Sequence, residues 1–256
     1  MKNSYWVHGS PIEVLDAGSL EVVQSWGSDE GIVEAARMST QKGFLGWGPI
    51  ACPSCLDNGS DPEECEDKKP GDEKLLRYLY ENKHMTPFEM AGLTVRVKAP
   101  IFVFREWHRH RTQSYNEMSA RYIPLPNENY LPTVERLMRN SKTNKQAGAV
   151  VGSAELTEDA AVAFRSALER CYSDAEDTYQ LGLRLGVPKE LARVHLPVGR
   201  YSMMQASANL RNWLAFLTLR QAPSAQWEIQ QYANAVGTVV KTAFPRTWEL
   251  FSEGMK

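Results

Sequence analysis

Cysteine is scarce in this chain, with Cys52, Cys55, Cys65 and Cys171 as the four in 256 residues. The disulfide-rich scaffolds of small secreted proteins need a far higher density of cysteine, so that class is excluded. Long apolar runs are absent too, since nowhere do about 18 consecutive apolar residues occur, the length that a membrane-spanning helix needs. Residues 1–15 contain no basic stretch followed by an apolar one, so we expect a cytoplasmic protein without a membrane partner.

A charge excess of either sign is also lacking: 29 lysines and arginines face 31 aspartates and glutamates, for a net charge of −2. The chain therefore has no global attraction to nucleic acid or to anionic membranes, and any anion site must come from locally clustered arginines. Hydrophobic residues make up 43% and aromatic residues 10% of the sequence. This is enough to bury a large core, and we predict one domain that spans residues 1–256.

Residues 43–72 are rich in Gly, Pro, Asp, Glu and Cys, which is typical of a long surface insertion. Within them, the Cys-Pro-Ser-Cys run at 52–55 resembles half of a zinc knuckle, and Cys65 is a candidate third ligand. A closed structural zinc site needs four ligands, and the sequence offers no evident fourth nearby. We therefore predict no metal, and keep zinc at Cys52, Cys55 and Cys65 as the weaker alternative to three reduced thiols in a solvent-facing loop.

Hydrophobic periodicity predicts an α+β fold in which an antiparallel or mixed sheet is flanked by helices. Alternation of apolar and polar residues over 92–98 predicts a strand, and 200–207 is a weaker strand candidate. Pro100 suits the first position of a following helix, on which Arg105 and Arg109 would share one face. Other helices are predicted at residues 29–40, 73–82, 157–185, 188–195, 210–220, 226–243 and 245–251, with a polar connection at 132–152.

The densest polar cluster follows the Pro100 helix, at residues 109–122. It holds three arginines, a histidine, two serines, an asparagine and a glutamate, and no periodic apolar face runs through it. A solvated loop is the simplest interpretation of such a stretch. Guanidinium forks and hydroxyls at this density are also what grips phosphates and hydroxyl-bearing ligands. We therefore predict an anion site here, with Trp107 beside it as a packing anchor.

The tripeptide Arg-His-Arg at 109–111, followed after seven residues by Ser119 and then by Arg-Tyr at 121–122, resembles the signature of flavin-dependent thymidylate synthases. The resemblance covers most of the chain outside residues 43–72 and 132–152. It extends to residues 84–89, 99–103, 105–107, 192–193, 209–211, 219–220 and 225–228. It implies the thymidylate synthase-complementing protein fold and a homotetramer whose active sites lie between subunits.

The resemblance implies that the chain methylates dUMP to dTMP, with 5,10-methylenetetrahydrofolate as carbon donor and NADPH as reductant of a bound FAD. Arg220 and Ser119 are the candidate catalytic residues, and Arg220 would stabilise negative charge on the uracil ring. Ser119 resembles a nucleophile, but its arginine-rich surroundings without an Asp-His relay favour a binding role. The implied dUMP-binding residues are Glu106, Arg109, Glu117, Met118, Ser119, Ala120, Arg121, Arg193 and Arg220.

The same resemblance implies that FAD is held by side chains from several parts of the chain. These residues are Ser39, His84, Thr86, Glu89, Arg109, His110, Arg111, Asn116, Glu117, Asn209, Arg211 and Leu219, with His84 and Tyr122 also beside the folate. At two positions, Ala215 and Ser224 stand where family members often carry a further polar or histidine side chain near the flavin. We therefore expect FAD to be held less tightly here.

Two other functions stay open from the sequence. A related flavoprotein would transfer a hydroxymethyl group to the pyrimidine if water captured the intermediate before hydride did. A nucleic-acid-binding protein would use Arg109, Arg111 and Arg121, with Tyr115 and Tyr122 as stacking partners. The net charge of −2 argues against nucleic acid, because one compact basic cluster cannot follow a long polyanion.

Overall fold

The computed structural model describes residues 10–141, 147–149 and 153–255. Its strands are β1 Ile12–Val14, β2 Gly18–Trp26, β3 Gly92–Pro100, β4 Ser114–Glu117 and β5 Tyr201–Asn209. They form a five-stranded sheet in the order β1-β2-β3-β5-β4, and every neighbouring pair is antiparallel. Because β5 lies between β3 and β4, residues from the last quarter of the chain are held beside the polar cluster.

Helices of very different lengths surround the sheet. They are α1 Asp29–Arg37, α2 Pro53–Asp57, α3 Asp72–Glu81, α4 Ile101–Trp107, α5 Val134–Met138, α6 Glu158–Arg184, α7 Lys189–Ala192, α8 Leu210–Arg220, α9 Trp227–Ala243 and α10 Pro245–Glu253. Short 3-10 helices lie at Met38–Thr40, Pro62–Glu64 and Thr86–Met90. The observed α+β architecture agrees with the class that the periodicity predicts.

One face of the sheet carries the hydrophobic core. Leu93 and Val95 of β3 are fully buried and pair with Ala208 and Ala206 of β5, so all four side chains point to the same face. Helix α8 packs against β3, α9 packs against β2, and α4 packs against α9 over this face. Burial of each large apolar side chain contributes about 1.5–3 kcal/mol, which makes this layer the main source of stability.

Side-chain caps place the starts of several helices. The Ser28 hydroxyl accepts from the backbone N–H of Gly31 at 3.1 Å at the start of α1. The Asn209 side-chain oxygen accepts from the N–H of Asn212 at 3.0 Å, so a predicted flavin-binding residue is the N-cap of α8. Such caps satisfy backbone donors that have no partner within the helix.

The predicted helices at 29–40, 73–82, 157–185, 210–220, 226–243 and 245–251 are confirmed, with ends shifted by at most three residues, and the strand candidate at 200–207 is β5. The helix predicted at 188–195 is reduced to the single turn of α7. Pro100 ends β3 and is the N-cap of α4, where its missing N–H also costs no hydrogen bond. Strands β1, β2 and β4 and helix α5 were not predicted, and three of these four have five residues or fewer.

The polar connection predicted at 132–152 is only partly described, because residues 142–146 and 150–152 lie outside the described residues, as do residues 1–9 of the N-terminal stretch. The described part begins with α5. The Thr133 hydroxyl caps this helix by accepting from the N–H of Arg136 at 3.2 Å, and Arg136 pairs with the buried Glu228 of α9.

The segment 43–71 runs over the surface between α1 and α3. The buried carboxylate of Asp72 fixes its start, accepting hydrogen bonds from the backbone N–H groups of Leu45 at 2.7 Å and Gly46 at 3.3 Å. Asp72 also forms an ion pair with Arg37 at the end of α1. One carboxylate thus joins α1, α3 and the beginning of the segment.

Helix α6 packs weakly on the rest of the chain. Among its 27 residues, Ala161 and Tyr179 are the buried ones, whereas Phe164 is 54% and Leu181 48% exposed. A helix owes most of its stability to the packing of its apolar face, and this one leaves much of that face open in a single chain. No helix in the described part of the chain combines the length and apolar character that crossing a bilayer requires.

Gly92→Ala is expected to destabilise the fold by about 1–3 kcal/mol through overpacking. A Cβ at this position would lie 2.3 Å from a ring carbon of Trp26 and 2.4 Å from the carbonyl oxygen of Ala208. Gly254→Ala is the control, because its nearest neighbours would be at 3.6 and 3.8 Å. Urea unfolding at equal protein concentration measures both variants, and equal midpoints would contradict the expected clash.

Candidate active site

The polar cluster at 109–122 forms a tight turn followed by the edge strand β4, so it is more ordered than a simple loop, although most of its side chains are solvated as the simplest interpretation expects. Asn116 pairs with Gln205 and Glu117 with Met204 across the β4–β5 ladder. Alternation along the strand puts Asn116 and Glu117 on opposite faces of the sheet. Backbone pairing therefore gives fixed positions to side chains that the sequence pattern left unplaced.

The Tyr115 hydroxyl holds the turn that precedes β4. It lies 2.6 Å from the carbonyl oxygen of His110 and 3.2 Å from that of Trp107. Burial raises the pKa of Tyr115 to about 12, so the hydroxyl stays protonated and donates. The fully buried Trp107, predicted as a packing anchor, donates from its indole N–H to the side-chain oxygen of Gln113 at 3.0 Å. The turn is thereby fixed at both ends.

The prediction that Arg105 and Arg109 share one helical face is wrong. Helix α4 ends at Trp107, and Arg109 lies in the turn, where its N–H approaches the carbonyl oxygen of Glu106 at 3.4 Å. Arg109 and Arg111 are both exposed, and within the described residues neither has a carboxylate oxygen within 4.0 Å of its guanidinium. Two cations without counter-ions in one turn are suited to an anionic ligand.

Arg220, the last residue of α8, is held by three hydrogen bonds. Its Nε donates to His110 Nε2 at 2.8 Å, and its terminal nitrogens donate to a carboxylate oxygen of Glu106 at 2.9 Å and to the carbonyl oxygen of Glu106 at 2.8 Å. The Arg220 side chain is 15% exposed, compared with 38% for Glu106. The direction of the Arg220 guanidinium is therefore fixed, while one edge of this group still reaches solvent. These three predicted site residues are brought together.

His110 is neutral in this arrangement. Burial lowers its pKa to about 4, and the Arg220 cation acts in the same direction, whereas Glu106 opposes both. Since Nε2 accepts a hydrogen bond from Arg220, the proton of the neutral ring is on Nδ1. The ring packs edge-on against Phe216, with centroids 4.8 Å apart. The site thus contains one cation and one neutral donor side by side.

The start of α8 gathers a second set of predicted flavin-binding residues. Arg211 forms an ion pair with Glu89 of the 3-10 helix Thr86–Met90. The side-chain amide of Asn212 donates to the carbonyl oxygen of Thr112 at 3.1 Å, which ties the turn to the helix. From residue 211 to residue 220 an α-helix rises about 13 Å, so the predicted flavin set follows the length of α8.

The predicted dUMP residues after β4 form a separate group beside α7. Arg121 pairs with Glu190 at 2.9 Å, and the Lys189 ammonium donates to the carbonyl oxygen of Tyr122 at 2.8 Å. The Ser119 hydroxyl accepts from the N–H of Arg121 at 3.3 Å, and no histidine or carboxylate hydrogen-bonds to it in the described residues. Arg193 is the C-cap of α7 and is half-buried.

No hydrogen bond or ion pair joins the Arg220 group to the Ser119 group within the described chain. An open hollow at the sheet edge is lined by residues that include Arg96, Asn116, Glu117 and Met118. Ala120 is buried and offers almost no surface to a ligand in the single chain. The remaining predicted residues Ser39, His84, Thr86, Leu219 and Tyr122 and the two departures Ala215 and Ser224 are all exposed in the single chain.

The family model of the thymidylate synthase complementing protein matches residues 21–246, which include all five described strands except β1 and the start of β2. The chain belongs to this family. Among curated relatives, it is 39% identical over 242 residues to the flavin-dependent thymidylate synthase of Thermosipho melanesiensis, covering 93% of this chain and 92% of the relative. It is 38% identical to the enzyme of the same name from Thermus thermophilus, covering 94% and 78% of the two chains.

Two solved structures have the same fold as this chain. The UMP/dUMP methylase PolB from Streptomyces cacaoi bound with 5-Br UMP is 34% identical, with a TM-score of 0.72, covering 94% of this chain and 96% of the other. The same enzyme bound with 5-Br dUMP gives a TM-score of 0.72 at 33% identity, covering 94% and 97%.

The family signature does not identify the residues that hold the site in place. The sequence suggests Tyr115 only as a stacking partner for nucleic acid, yet its hydroxyl fixes the turn, and it gives no signal for Gln113, which is buried and accepts a hydrogen bond from Trp107. Asn212 was missed as well. Each of these contacts joins positions whose partners depend on the β4–β5 pairing or on the packing of α8, so the sequence around them carries no separate signal.

Substitutions of Arg220 and of Glu106 should move the pKa of His110 in opposite directions. Arg220→Gln removes a cation and should raise the pKa of His110 from about 4, but burial should still keep this pKa below its ordinary value. Glu106→Gln removes an anion and should lower the pKa further. NMR titration of the imidazole carbons measures both. Shifts of the same sign in both variants would contradict this arrangement.

Because the pKa of His110 is depressed in the folded protein, the unfolded chain takes up the proton first as the pH falls. The free energy of unfolding should therefore decrease as pH drops from about 6.5 towards 4.

Proposed function

We propose that this chain is a flavin-dependent thymidylate synthase, which converts dUMP to dTMP with methylenetetrahydrofolate as carbon donor and NADPH as the source of reducing equivalents through FAD. The observation that carries the proposal is the Arg220–Glu106–His110 group, a directed guanidinium beside a neutral imidazole. His110 is part of the family signature, and it lies between Arg109 and Arg111, whose guanidiniums have no carboxylate partner among the described residues. Relatives at 38–39% identity bear this name, which supports the same activity.

The donor set fits FAD. Arg109 and Arg111 offer guanidinium forks for a diphosphate, and His110, Asn116 and Asn209 add neutral donors and acceptors. The exposed Glu89–Arg211 pair contributes only about 0–1 kcal/mol to the stability of the fold. The Arg211 guanidinium can therefore leave Glu89 and bind a ligand at little cost in free energy. When bound, the flavin supplies the hydride-transfer chemistry that no side chain can. The chain's own part is to orient the flavin and to exclude water from the reacting atoms.

Arg220 is the residue that acts on the pyrimidine. Its fork is set before substrate arrives, because His110 and Glu106 already hold it. A preorganised cation beside the ring stabilises negative charge at N3 and O2 and polarises the C5–C6 bond, with no reorganisation at the moment of reaction. The chain therefore needs no nucleophile of its own, and Ser119, which has no base beside it, binds the nucleotide.

Arg109, Ser119, Arg121 and Arg193 hold the dUMP phosphate, and Glu106 and Glu117 lie on or near its sugar. Arg121 is 61% exposed on its pair with Glu190, a surface pair that a phosphate dianion readily replaces. His84 and Tyr122 are exposed and available to the folate.

A homotetramer completes the site. The Arg220 and Ser119 groups are not joined within one chain, and α6 leaves apolar side chains such as Phe164 and Leu181 open to solvent. Exposed apolar surface of this kind marks an interface between subunits. Packing of α6 against other copies would bury these side chains and bring arginines of different chains onto one nucleotide.

The product test is an anaerobic incubation of the purified chain with FAD, dUMP, methylenetetrahydrofolate and NADPH, followed by mass spectrometry of the nucleotide. We expect one new species, heavier than dUMP by one methylene. A parallel reaction with UMP measures selectivity for the sugar, because the related PolB is named a UMP/dUMP methylase. A hydroxymethyl product would move the assignment to a pyrimidine hydroxymethylase, and unchanged nucleotide from flavin-loaded protein would contradict both.

Arg220→Lys is expected to lower kcat by about 10²–10³-fold, the usual cost of losing one preorganised donor. A lysine carries a point charge and cannot make the three directed bonds that the guanidinium makes. Arg77→Lys on α3 is the matched control, since Arg77 forms surface pairs with the exposed Glu81 and Glu253 and the variant should keep full activity. Steady-state kinetics at saturating dUMP compares them. An Arg220→Lys enzyme with unchanged kcat would refute this role.

A further inference from the structure

Three thiols converge in the segment 43–71, away from the nucleotide and flavin residues. The sulfur atoms of Cys52, Cys55 and Cys65 all lie within 4.8 Å of one another. Cys65 is buried at 2% exposure, and the other two are half-buried. Cys171, the fourth cysteine, is exposed on α6 and is not part of this cluster.

Local backbone structure builds this cluster from two directions. Cys52 is the N-cap of the short helix α2, Pro53 occupies its first turn, and Cys55 follows on the same turn. Cys65 comes from the end of the 3-10 helix Pro62–Glu64, and its sulfur accepts a hydrogen bond from the N–H of Cys52 at 3.4 Å. This contact holds the Cys65 sulfur beside the two cysteines of the α2 end.

Little else holds the middle of this segment together. Among residues 43–71 the buried ones are Ala51 and Cys65, whereas Leu56 is 57% exposed. The segment is closed by one antiparallel bridge between Ile50 and Lys69, with both N···O distances at 2.8 Å. Small units with so little core usually depend on a disulfide or a metal for a defined structure.

We propose that Cys52, Cys55 and Cys65 bind one zinc ion, with water as the fourth ligand. Tetrahedral Zn–S bonds of about 2.3 Å place sulfur atoms about 3.8 Å apart, so sulfurs within 4.8 Å of each other need to move by about 1 Å or less. Binding releases the thiol protons and leaves a complex of three thiolates and one Zn²⁺. A disulfide between two of these cysteines would leave the third without a role.

The surroundings favour a cation. Between residues 52 and 69 six carboxylate side chains accompany two lysines, so the segment has a net negative charge. Local charge of this sign raises the concentration of cations around it. Zinc is preferred over magnesium or calcium because thiolates are soft ligands, whereas those ions select oxygen.

The bound metal would order the connection between two parts of the chain. The segment starts just after Ser39 and leads through α3 to His84, and Asp72 fixes its base against α1. Cross-linking residues 52, 55 and 65 restricts the loop above that base. The proposal does not depend on the enzymatic assignment, because every ligand lies outside the nucleotide and flavin groups.

Metal content tests the site directly. The full-length protein is reduced, loaded with zinc sulfate, passed through a desalting column and measured by elemental analysis. We expect about one zinc per chain for the wild type and for the control Cys171→Ser. Cys65→Ser and the double variant Cys52→Ser/Cys55→Ser should retain less than about 0.2 equivalents. Wild-type protein without zinc, or a Cys65→Ser variant with full zinc, would overturn the proposal, as would one equivalent of copper in place of zinc.

A second measurement on the wild type keeps the test independent of variant folding. Reconstitution with Co²⁺ should give the thiolate-to-cobalt charge-transfer band and the visible bands of a tetrahedral site, both removed by added zinc. Removal of zinc by a strong chelator should speed proteolytic cleavage within residues 51–68 by about 10-fold, because the cross-link is lost. A cobalt spectrum without thiolate bands, unchanged cleavage, or a mass that shows an oxidised Cys52–Cys55 pair in protein prepared without reductant would each contradict a zinc site.

Discussion

The buried indole of Trp107 is the contact on which the candidate site depends. On one side it packs against Phe216 at 4.7 Å and against Trp213 and Tyr232 at 6.3 Å, which links it to α8 and α9. On the other side its N–H bonds Gln113, and its carbonyl oxygen lies beside the Tyr115 hydroxyl. A rigid aromatic core therefore positions a polar turn, and a shift of Trp107 would move His110 and the neighbouring arginines together.

Charge is distributed unevenly over the site, and this follows from how each arginine is held. Arg220 is oriented by Glu106 and His110, as a group needs to be if it must stabilise charge at one point of a ring. Arg109 and Arg111 have no carboxylate partner in the described chain and remain exposed, as groups must be if they bind phosphates. The near-neutral whole chain limits attraction to polyanions, so the cations act over a short range on small ligands.

The single chain brings together parts of the site and leaves other parts separate. Helix α8 collects flavin and uracil candidates along its length, whereas the Ser119 group docks on α7. The long helix α6 is also incomplete in a single chain, since few of its apolar residues are buried against the rest of the chain. The proposed assembly of several copies would account for both features, because the surface that buries α6 would also supply the missing half of each site.

The sequence by itself determined the family and the α+β class and supplied the candidate site residues, because signature spacing and hydrophobic periodicity are local properties of the chain. It also located the long helices, whose apolar repeats extend over several turns. Tertiary structure decided the rest. Arg105 and Arg109 are split because Tyr115 and Trp107 end α4, and β4 exists because β5, about 90 residues away, pairs with it. His110 is neutral mainly because packing buries its ring, and the cation of Arg220, 110 residues further along, acts in the same direction. Such contacts join distant positions, and no local pattern encodes them.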